Sequence, residues 1–284
     1  MHRTVPALAA AVLAASVASF PACGMHGPYN EEARDTWSRT YTLSKTGEVS
    51  ISNANGRVEV EGVDGSTVDV RADRIARAAT QQMASELLPK IPINDRSTPD
   101  LVFVETGRIN GILIGASFEV IYHVKAPKGA TVRASTVNGG VEVRGLAGRT
   151  TARTTNGGVV ARDIAGSLEA RTVNGGVRAN FAALSANDIT LGVVNGGIRV
   201  SLPESARATV NATWVNGGFN SSGLKFEIRD SGKRHFEGLL NGGGTSITVT
   251  TVNGGVNFTT GQDKDPDPGD DVVKGLKSRE HVVQ

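Results

Sequence analysis

Three stretches decide the fold: Thr136-Val137-Asn138-Gly139-Gly140-Val141-Glu142-Val143, Thr154-Thr155-Asn156-Gly157-Gly158-Val159-Val160-Ala161 and Thr172-Val173-Asn174-Gly175-Gly176-Val177-Arg178-Ala179. Asn-Gly-Gly recurs seven times, beginning at Asn138, Asn156, Asn174, Asn195, Asn216, Asn241 and Asn253, with spacings of 18, 18, 21, 21, 25 and 12. A repeat near 20 residues indicates stacked units rather than one globular core. Before each Asn, apolar or small residues fall two, four and six positions back, as in Thr136, Ala134 and Val132, or Val193, Leu191 and Ile189. Three positions after it come Val141, Val159, Val177, Ile198, Phe219 and Val256. With a side-chain period of two, these residues share one inward face, and the same count puts Asn on that face. Each copy therefore reads as strand, glycine corner, strand. A second turn falls near Gly145-Leu146-Ala147-Gly148 or Ile164-Ala165-Gly166. The copy at Asn241 breaks the rule, since His235 and Glu237 occupy the inward places, and an irregular loop or capping rung is expected there.

Two architectures produce such a pattern. Asn-Gly between strands is a strong hairpin signal, because type I′ turns need positive φ at both central residues. A parallel β-helix uses the same residues as a corner, where Gly supplies the backbone geometry and stacked Asn side chains bond along a column. Position-by-position identity from copy to copy favours stacking of equivalent residues at ~4.8 Å. The expected fold is thus all-β, a single-stranded, right-handed parallel β-helix or β-solenoid.

The Thr-Val-Asn-Gly-Gly-Val run resembles the bacterial "putative-adhesin" family of unknown function. It is also similar to the head domains of putative autotransporter adhesins. The earlier Gly47-Glu48-Val49-Ser50-Ile51-Ser52-Asn53-Ala54-Asn55-Gly56-Arg57-Val58-Glu59-Val60 resembles that family's opening rung. The likeness runs from about Tyr41 to Thr260. It implies an extracytoplasmic β-solenoid with envelope or surface roles, and brings no catalytic residues.

Outward from the repeat, the chain divides further. Arg3 precedes an Ala/Val/Leu-rich run from Ala7 to Phe20, so residues 1–22 read as an export signal. Ser16-Val17-Ala18 offers one cleavage site. Phe20-Pro21-Ala22-Cys23 offers another, similar to a lipobox, in which Cys23 takes the lipid. Residues 23–40 read as a polar tether and 41–260 as the solenoid domain. Alternation at Val49, Ile51, Val58, Val60, Val68 and Val70 gives way at Arg71. There Ile75, Ala79, Met83 and Leu87 recur every four residues, predicting a helical insertion over about 72–88 that ends before Pro89. From residue 261 to 284 an acidic, polar tail is expected to be disordered.

Composition narrows the function. The 284 residues include 35 glycines but only 5% aromatics, which suits a thin structure filled by Val, Ala, Ile and Thr. A formal charge of +2 gives no cation excess for nucleic acid. The single cysteine rules out an internal disulfide framework and a cysteine-built zinc site. No apolar run reaches the ~20 residues of a membrane-spanning helix. Serine-hydrolase, zinc-helix and phosphate-loop motifs do not occur. His2, His26, His123, His235 and His281 stand apart. Asp263, Asp265 and Asp267 imitate the start of a calcium loop, but Pro268 and Lys274 occupy its glycine and bidentate-glutamate places. Neither a metal, a cofactor nor a catalytic residue is assigned.

Two residue sets remain as candidate sites. Asn138, Asn156, Asn174, Asn195, Asn216 and Asn253 are expected to form a structural ladder satisfying backbone groups at the corners, though amides could also bind sugar hydroxyls. Between Thr131 and Val200 stand eight arginines and four acids. Register pairs Arg153 with Arg171, Arg144 with Arg162 and Arg178 with Arg199. Stacked like charges repel unless an anion lies over them, so these six form a possible anion-binding face, with a plain solvated face as the alternative. The partners this would imply are an anionic glycan, lipopolysaccharide or another envelope component, with a membrane reached through lipid on Cys23. The sequence thus points to a non-enzymatic, extracytoplasmic binding or scaffold module of periplasm or envelope. The alternatives are a lyase-like carbohydrate-active enzyme on a β-helix and a ligand-free stalk.

Overall fold

The computed structural model describes residues 31–109, 115–185 and 188–261. Strands β1 (Glu31–Thr42), β2 (Glu48–Ser52), β3 (Val58–Val63) and β4 (Thr67–Ala78) lead to helix α1 (Gln81–Leu87) and a 3-10 turn, Leu88–Lys90. Next come β5 (Ile93–Thr98), β6 (Leu101–Thr106) and β7 (Ala116–Pro127). The repeat supplies β8 (Thr131–Asn138), β9 (Val141–Arg144), β10 (Thr150–Asn156), β11 (Val159–Arg162), β12 (Leu168–Asn174), β13 (Val177–Asn180), β14 (Ile189–Asn195) and β15 (Ile198–Leu202). After it follow β16 (Ala208–Asn216), β17 (Phe219–Ser222), β18 (Phe226–Ser231), β19 (His235–Leu240), β20 (Thr245–Asn253) and β21 (Val256–Thr260).

Among the described residues these strands form two sheets. Strands that precede the Asn-Gly-Gly corner lie in an upstream sheet ordered β18-β19-β16-β20-β14-β12-β10-β8-β2-β6-β5. Strands that follow it lie in a downstream sheet ordered β1-β4-β7-β3-β9-β11-β13-β15-β21-β17. The repeat strands pair in parallel and exactly in phase, so that Thr150, Ala152 and Thr154 meet Leu168, Ala170 and Thr172, and Val159 and Ala161 meet Val177 and Ala179. Inward columns such as Ala134-Ala152-Ala170 are buried throughout. Small side chains at mid-strand hold the core thin, while Val, Ile and Leu fill its ends. The chain is therefore all-β with parallel strands stacked in a solenoid-like domain.

The corner depends on its first glycine. Gly157 adopts φ +150°, and a Cβ there would lie 2.0 Å from the carbonyl oxygen of Gly139 on the rung below. Gly175, Gly196 and Gly217 repeat the arrangement at 2.0 Å each. In return, the Gly139 amide donates to Asn156 O at 2.8 Å and the Gly157 amide to Asn174 O at 2.8 Å. The stacked glycines thus carry the ladder of backbone hydrogen bonds around the bend without a gap.

Rung order departs from chain order at both ends. The rung β2/β3 lies between β6/β7 and β8/β9, and the last rung, β20/β21, inserts between β14/β15 and β16/β17. Antiparallel strands close the stack. β4 and β1 extend the downstream sheet beside β7, β5 extends the upstream sheet beside β6, and β19 and β18 cover β16. The outermost strands are charged (β1, β5, β18) or only four residues long (β17), which discourages edge-to-edge aggregation. Phe219 stacks on Phe236 at 3.9 Å between centroids, and Phe226 meets both edge-on, sealing that end. Asn241, with φ 50°, turns β19 into β20 and stays out of the corner column.

Three expectations are corrected. Residues 31–40 are not a tether: they are most of β1, paired with β4 over twelve residues. The helical insertion expected over 72–88 shrinks to Gln81–Leu87, since Arg71–Ala78 is strand. Its alternation is lost because Ile75, Ala76 and Ala78 are all buried, with α1 packed on this stretch and Ala78 and Ala84 in one small cluster. A strand covered on both faces loses its period of two. Finally, a plain coil of successive parallel rungs does not describe the ends, where antiparallel strands and out-of-order rungs supply the closure a bare stack lacks.

Gly157→Ala is expected to lower stability by about 2 kcal/mol or more, a fall of roughly 4–8 °C in Tm, because both φ and the adjacent carbonyl oppose a side chain. Gly140→Ala, whose Cβ would sit 3.5 Å from its nearest neighbour with no left-handed φ, is expected to stay within about 0.5 kcal/mol. Thermal unfolding of the two variants checks this; equal losses would refute it.

Candidate functional site

The corner asparagines form one continuous ladder. Asn138 Nδ2 donates to Asn55 Oδ1 at 2.7 Å, Asn156 to Asn138 at 2.8 Å, Asn174 to Asn156 at 2.8 Å and Asn195 to Asn174 at 3.0 Å. Asn253 then donates to Asn195 and Asn216 to Asn253, each at 2.8 Å. All six predicted residues are brought together, but not on the inward face where the period-two count put them. Each is exposed, because the strand bends at its last residue and swings that side chain out of the core. A primary amide has two donor hydrogens and two acceptor lone pairs, so an interior rung of the ladder keeps one of each towards solvent. Beside it runs a second exposed column, Val137, Thr155, Val173, Val194, Val252 and Val215.

Two parts of this corner escaped the sequence reading. Asn55 is the ladder's first amide, and its Asn-Gly dipeptide inside the quoted opening rung was the available signal. The buried threonines two places before Asn also have a polar role: Thr136, Thr154 and Thr172 donate to the carbonyls of Gly56, Gly139 and Gly157 at 2.9, 2.8 and 2.7 Å. In the opening rung Asn53 takes that place. It is buried and donates to Val120 O, while its Oδ1 accepts from Thr106, whose hydroxyl also meets the Tyr122 phenol. Burial pushes the Tyr122 hydroxyl up to about 12. Asn156→Ala removes two exposed ladder bonds and is expected to cost about 1 kcal/mol, or roughly 2–4 °C of Tm. Unchanged melting would show that the ladder only decorates the corner.

The six arginines do not form one face. Arg153 and Arg171 lie on the upstream sheet, where both bind Glu169 at 2.7 Å. Arg144, Arg162, Arg178 and Arg199 lie on the outer face of the downstream sheet, Arg144 beside Arg162 and Arg178 beside Arg199. Period two cannot tell one sheet's outer face from the other's, which is why the sequence merged them. Arg144 pairs with Glu61 at 3.1 Å, and Arg162 with Glu142. Lengthwise, one outward column reads Arg71-His123-Glu59-Glu142-Val160-Arg178-Arg199 and its neighbour Asp69-Lys125-Glu61-Arg144-Arg162-Asn180-Ser201. Charge is thus mixed near β4 and β7 and basic over β9 to β15.

These columns line a trough. Its wide end is a cleft of about 870 Å³ whose lining includes Arg71, His123, Lys125, Glu59, Glu142 and Arg144. Arg57 and Glu142 also line the next hollow, of about 400 Å³, over Gly140, Gly158 and Gly176. In the cleft His123 Nδ1 lies 2.8 Å from Glu59 Oε2, and its Nε2 lies 3.5 Å from Asp73 Oδ2. The hydrogen bond to Glu59 raises the His123 pKa, and the same bond lowers that of Glu59. Burial opposes ionisation of Asp73, but hydrogen bonds from Arg71 and Thr36 prevail and lower its pKa. Cys23 and the acidic run Asp263, Asp265 and Asp267 lie outside the described residues.

The His123–Glu59 contact gives a pH dependence of defined sign. A raised histidine pKa stabilises the fold fully below the unfolded value of about 6.5, and the gain is lost as pH rises through the folded value. A lowered glutamate pKa stabilises it above the ordinary value of about 4.3, and that gain is lost as pH falls through the folded value. The pair therefore contributes most between about pH 4.5 and 6.5. In His123→Gln the Tm deficit is expected to be about 1–3 °C near pH 5.5 and to fade above about pH 8. A deficit independent of pH would assign His123 to packing alone.

Two facing sheets of stacked strands, glycine corners and a charged trough define an all-β protein with a solenoid-like domain. Residues 122–259, from within β7 nearly to the end of β21, match the family model described as Toastrack DUF4097. No curated protein matches the chain. Among solved structures it is similar to a putative cell adhesion protein from Clostridium sporogenes ATCC 15579, at 10% identity and TM-score 0.43, covering 80% of this chain and 100% of that one. It is also similar to a putative adhesin from Bacteroides fragilis NCTC 9343, at 11% identity and TM-score 0.31, covering 80% and 97%. A putative lipid binding protein from Parabacteroides distasonis ATCC 8503 is similar at 8% identity and TM-score 0.27, again covering 80% and 97%.

Proposed function

We propose that this chain is a non-enzymatic binding or scaffold module of the Toastrack family, exported and held at a membrane through lipid on Cys23. In this reading its coils are those of a parallel β-helix, and its downstream trough receives an anionic component of the envelope. The observation that carries the reading is the basic stretch of the trough. On the outward positions of β9, β11, β13 and β15 stand four arginines, Arg144, Arg162, Arg178 and Arg199, against one acid, Glu142. Rungs ~4.8 Å apart bring Arg144 over Arg162 and Arg178 over Arg199, and the planar guanidinium suits carboxylate or phosphate. The upstream pair, Arg153 and Arg171, lies on the other sheet and is not assigned to the site.

Two measurements test this. At low ionic strength, where screening is weakest, Arg178→Glu with Arg199→Glu should weaken binding to purified anionic envelope polymer about tenfold or more. Arg153→Glu with Arg171→Glu should leave it unchanged. Equal loss from both pairs would reduce the effect to net charge, and wild-type protein that binds nothing would end the reading. Cys23→Ser should move the protein from the membrane to the soluble fraction, since durable anchoring takes two acyl chains; a wild type already soluble would remove the anchor.

A further inference from the structure

We infer that the trough seats an unbranched acidic polysaccharide lying along the stacking axis, its sugar rings over Gly140, Gly158 and Gly176 and its carboxylates towards Arg178 and Arg199. This rests on the binding reading above and names the ligand class for that site.

The two glycines of each ladder Asn-Gly-Gly meet different demands. In the six ladder copies the first is demanded by its φ and by a carbonyl oxygen 1.9 to 2.2 Å from where a Cβ would be. The second meets neither demand at Gly140, Gly158 or Gly218. A Cβ would lie 3.5 Å from the nearest atom at Gly140 and 3.4 Å at Gly158, and would meet nothing within 4 Å at Gly218. Nor does their backbone enter the left-handed region. At these three places the fold would accept a side chain, as it does at Arg57 in the opening rung, yet all three lack one; at Gly176 and Gly197 a Cβ would meet the next carbonyl oxygen at 3.2 and 3.3 Å. What the missing side chains keep open is visible: Gly140, Gly158 and Gly176 line the hollow of about 400 Å³, together with Arg57, Glu142, Val160 and Arg178.

Three further observations select the occupant. First, the hollow crosses three rungs and shares Arg57 and Glu142 with the lining of the 870 Å³ cleft. A site that repeats with the rungs suits a polymer, whereas a phosphate ion or one lipid headgroup fills a single place. Second, the bare glycine backbone accepts the flat C–H face of a sugar ring, and the amide ladder beside it carries spare donors and acceptors for hydroxyls. Asn180 Oδ1, next along the trough, is a buried acceptor with no hydrogen-bond partner among the described residues. It borders a pocket of about 30 Å³ lined also by Arg162, Arg178 and Arg199, room for one hydroxyl or water. Third, the arginine forks match planar carboxylates spaced along a chain.

The test titrates the full chain with soluble oligogalacturonates, from disaccharide to octasaccharide, at low salt. Affinity should rise with length. Gly158→Leu should weaken octasaccharide binding about tenfold or more, with Tm within about 3 °C of wild type. Val160→Tyr, which narrows the hollow from its other wall, should do the same and serves if Gly158→Leu fails to fold. Inorganic phosphate and phosphatidylglycerol vesicles should compete poorly. Equal affinity for disaccharide and octasaccharide, full binding by both variants, or equal competition by phosphate or vesicles would each overturn the inference. So would trough variants that abolish self-association instead, since the occupant would then be a second copy. If oligogalacturonates fail to bind while Arg178→Glu with Arg199→Glu still weakens capture of envelope polymer, the ligand class is wrong and the binding reading stands.

Discussion

The structure depends on how closely one corner backbone lies on the next. At Gly157 the neighbouring carbonyl oxygen occupies the place of a Cβ, and that approach lets the amide of each first glycine reach the asparagine carbonyl of the adjoining rung. The bend would otherwise interrupt the ladder, leaving donors and acceptors unpaired at every turn, and unpaired buried polar groups cost about 1–3 kcal/mol each. Three sets of bonds converge on this point: backbone to backbone, Asn amide to Asn amide, and Thr hydroxyl to Gly carbonyl. Their shared requirement is register. A slip by one residue would carry the inward Val and Ala columns to solvent and break all three sets together.

From that register the surface follows. In-phase stacking turns a sequence position into a column, so that four arginines spaced along the chain become a basic patch one sheet wide. The same operation turns seven asparagines into a neutral edge and the second glycines into a bare floor. Function in such a fold is written in columns, and the trough lies where columns of different character adjoin. The end rungs matter to it as well. By inserting β2/β3 and β20/β21 inside the stack and laying antiparallel strands outside them, the chain closes its core with its own strands. The mixed-charge end of the trough is built partly from that closure, since β1, β4 and β7 supply Arg39, Asp69, Arg71 and His123.

The central rungs could be read from the sequence because their information is local and repeated: Thr-x-Asn-Gly-Gly-Val states strand, corner and inward face within six residues. The ends could not. Nothing near Thr245 announces that its strand will insert between β14 and β16, because that choice is made by long-range pairing. The Arg71–Ala78 strand was hidden for another reason, burial on both faces, and β1 because an edge strand carries the charge expected of a tether. For the site, the asparagine and arginine residues were found but their orientation was not. Period two holds along a strand and fails at the bend, which turned Asn138 outward. It is also blind to which of two sheets a residue faces, which merged Arg153 with Arg162. The cleft around His123 arises from strands some sixty residues apart, Glu59 and His123 meeting only in the fold. A sequence pass could register the histidine but not its partner.

Native-state amide hydrogen exchange reads the closure of the corner ladder residue by residue. If corner stacking closes the ladder, the amides of Gly139, Gly157, Gly175 and Gly196, each bonded to an asparagine carbonyl on the adjoining rung, exchange as slowly as those of Val141, Val159, Val177 and Ile198 inside the strands. Protection of the two groups should agree within about tenfold, the mark of one cooperative unit. Corner glycines exchanging at the rates of open turns, beside protected valines, would mean that the sheets are held separately and the corner merely connects them.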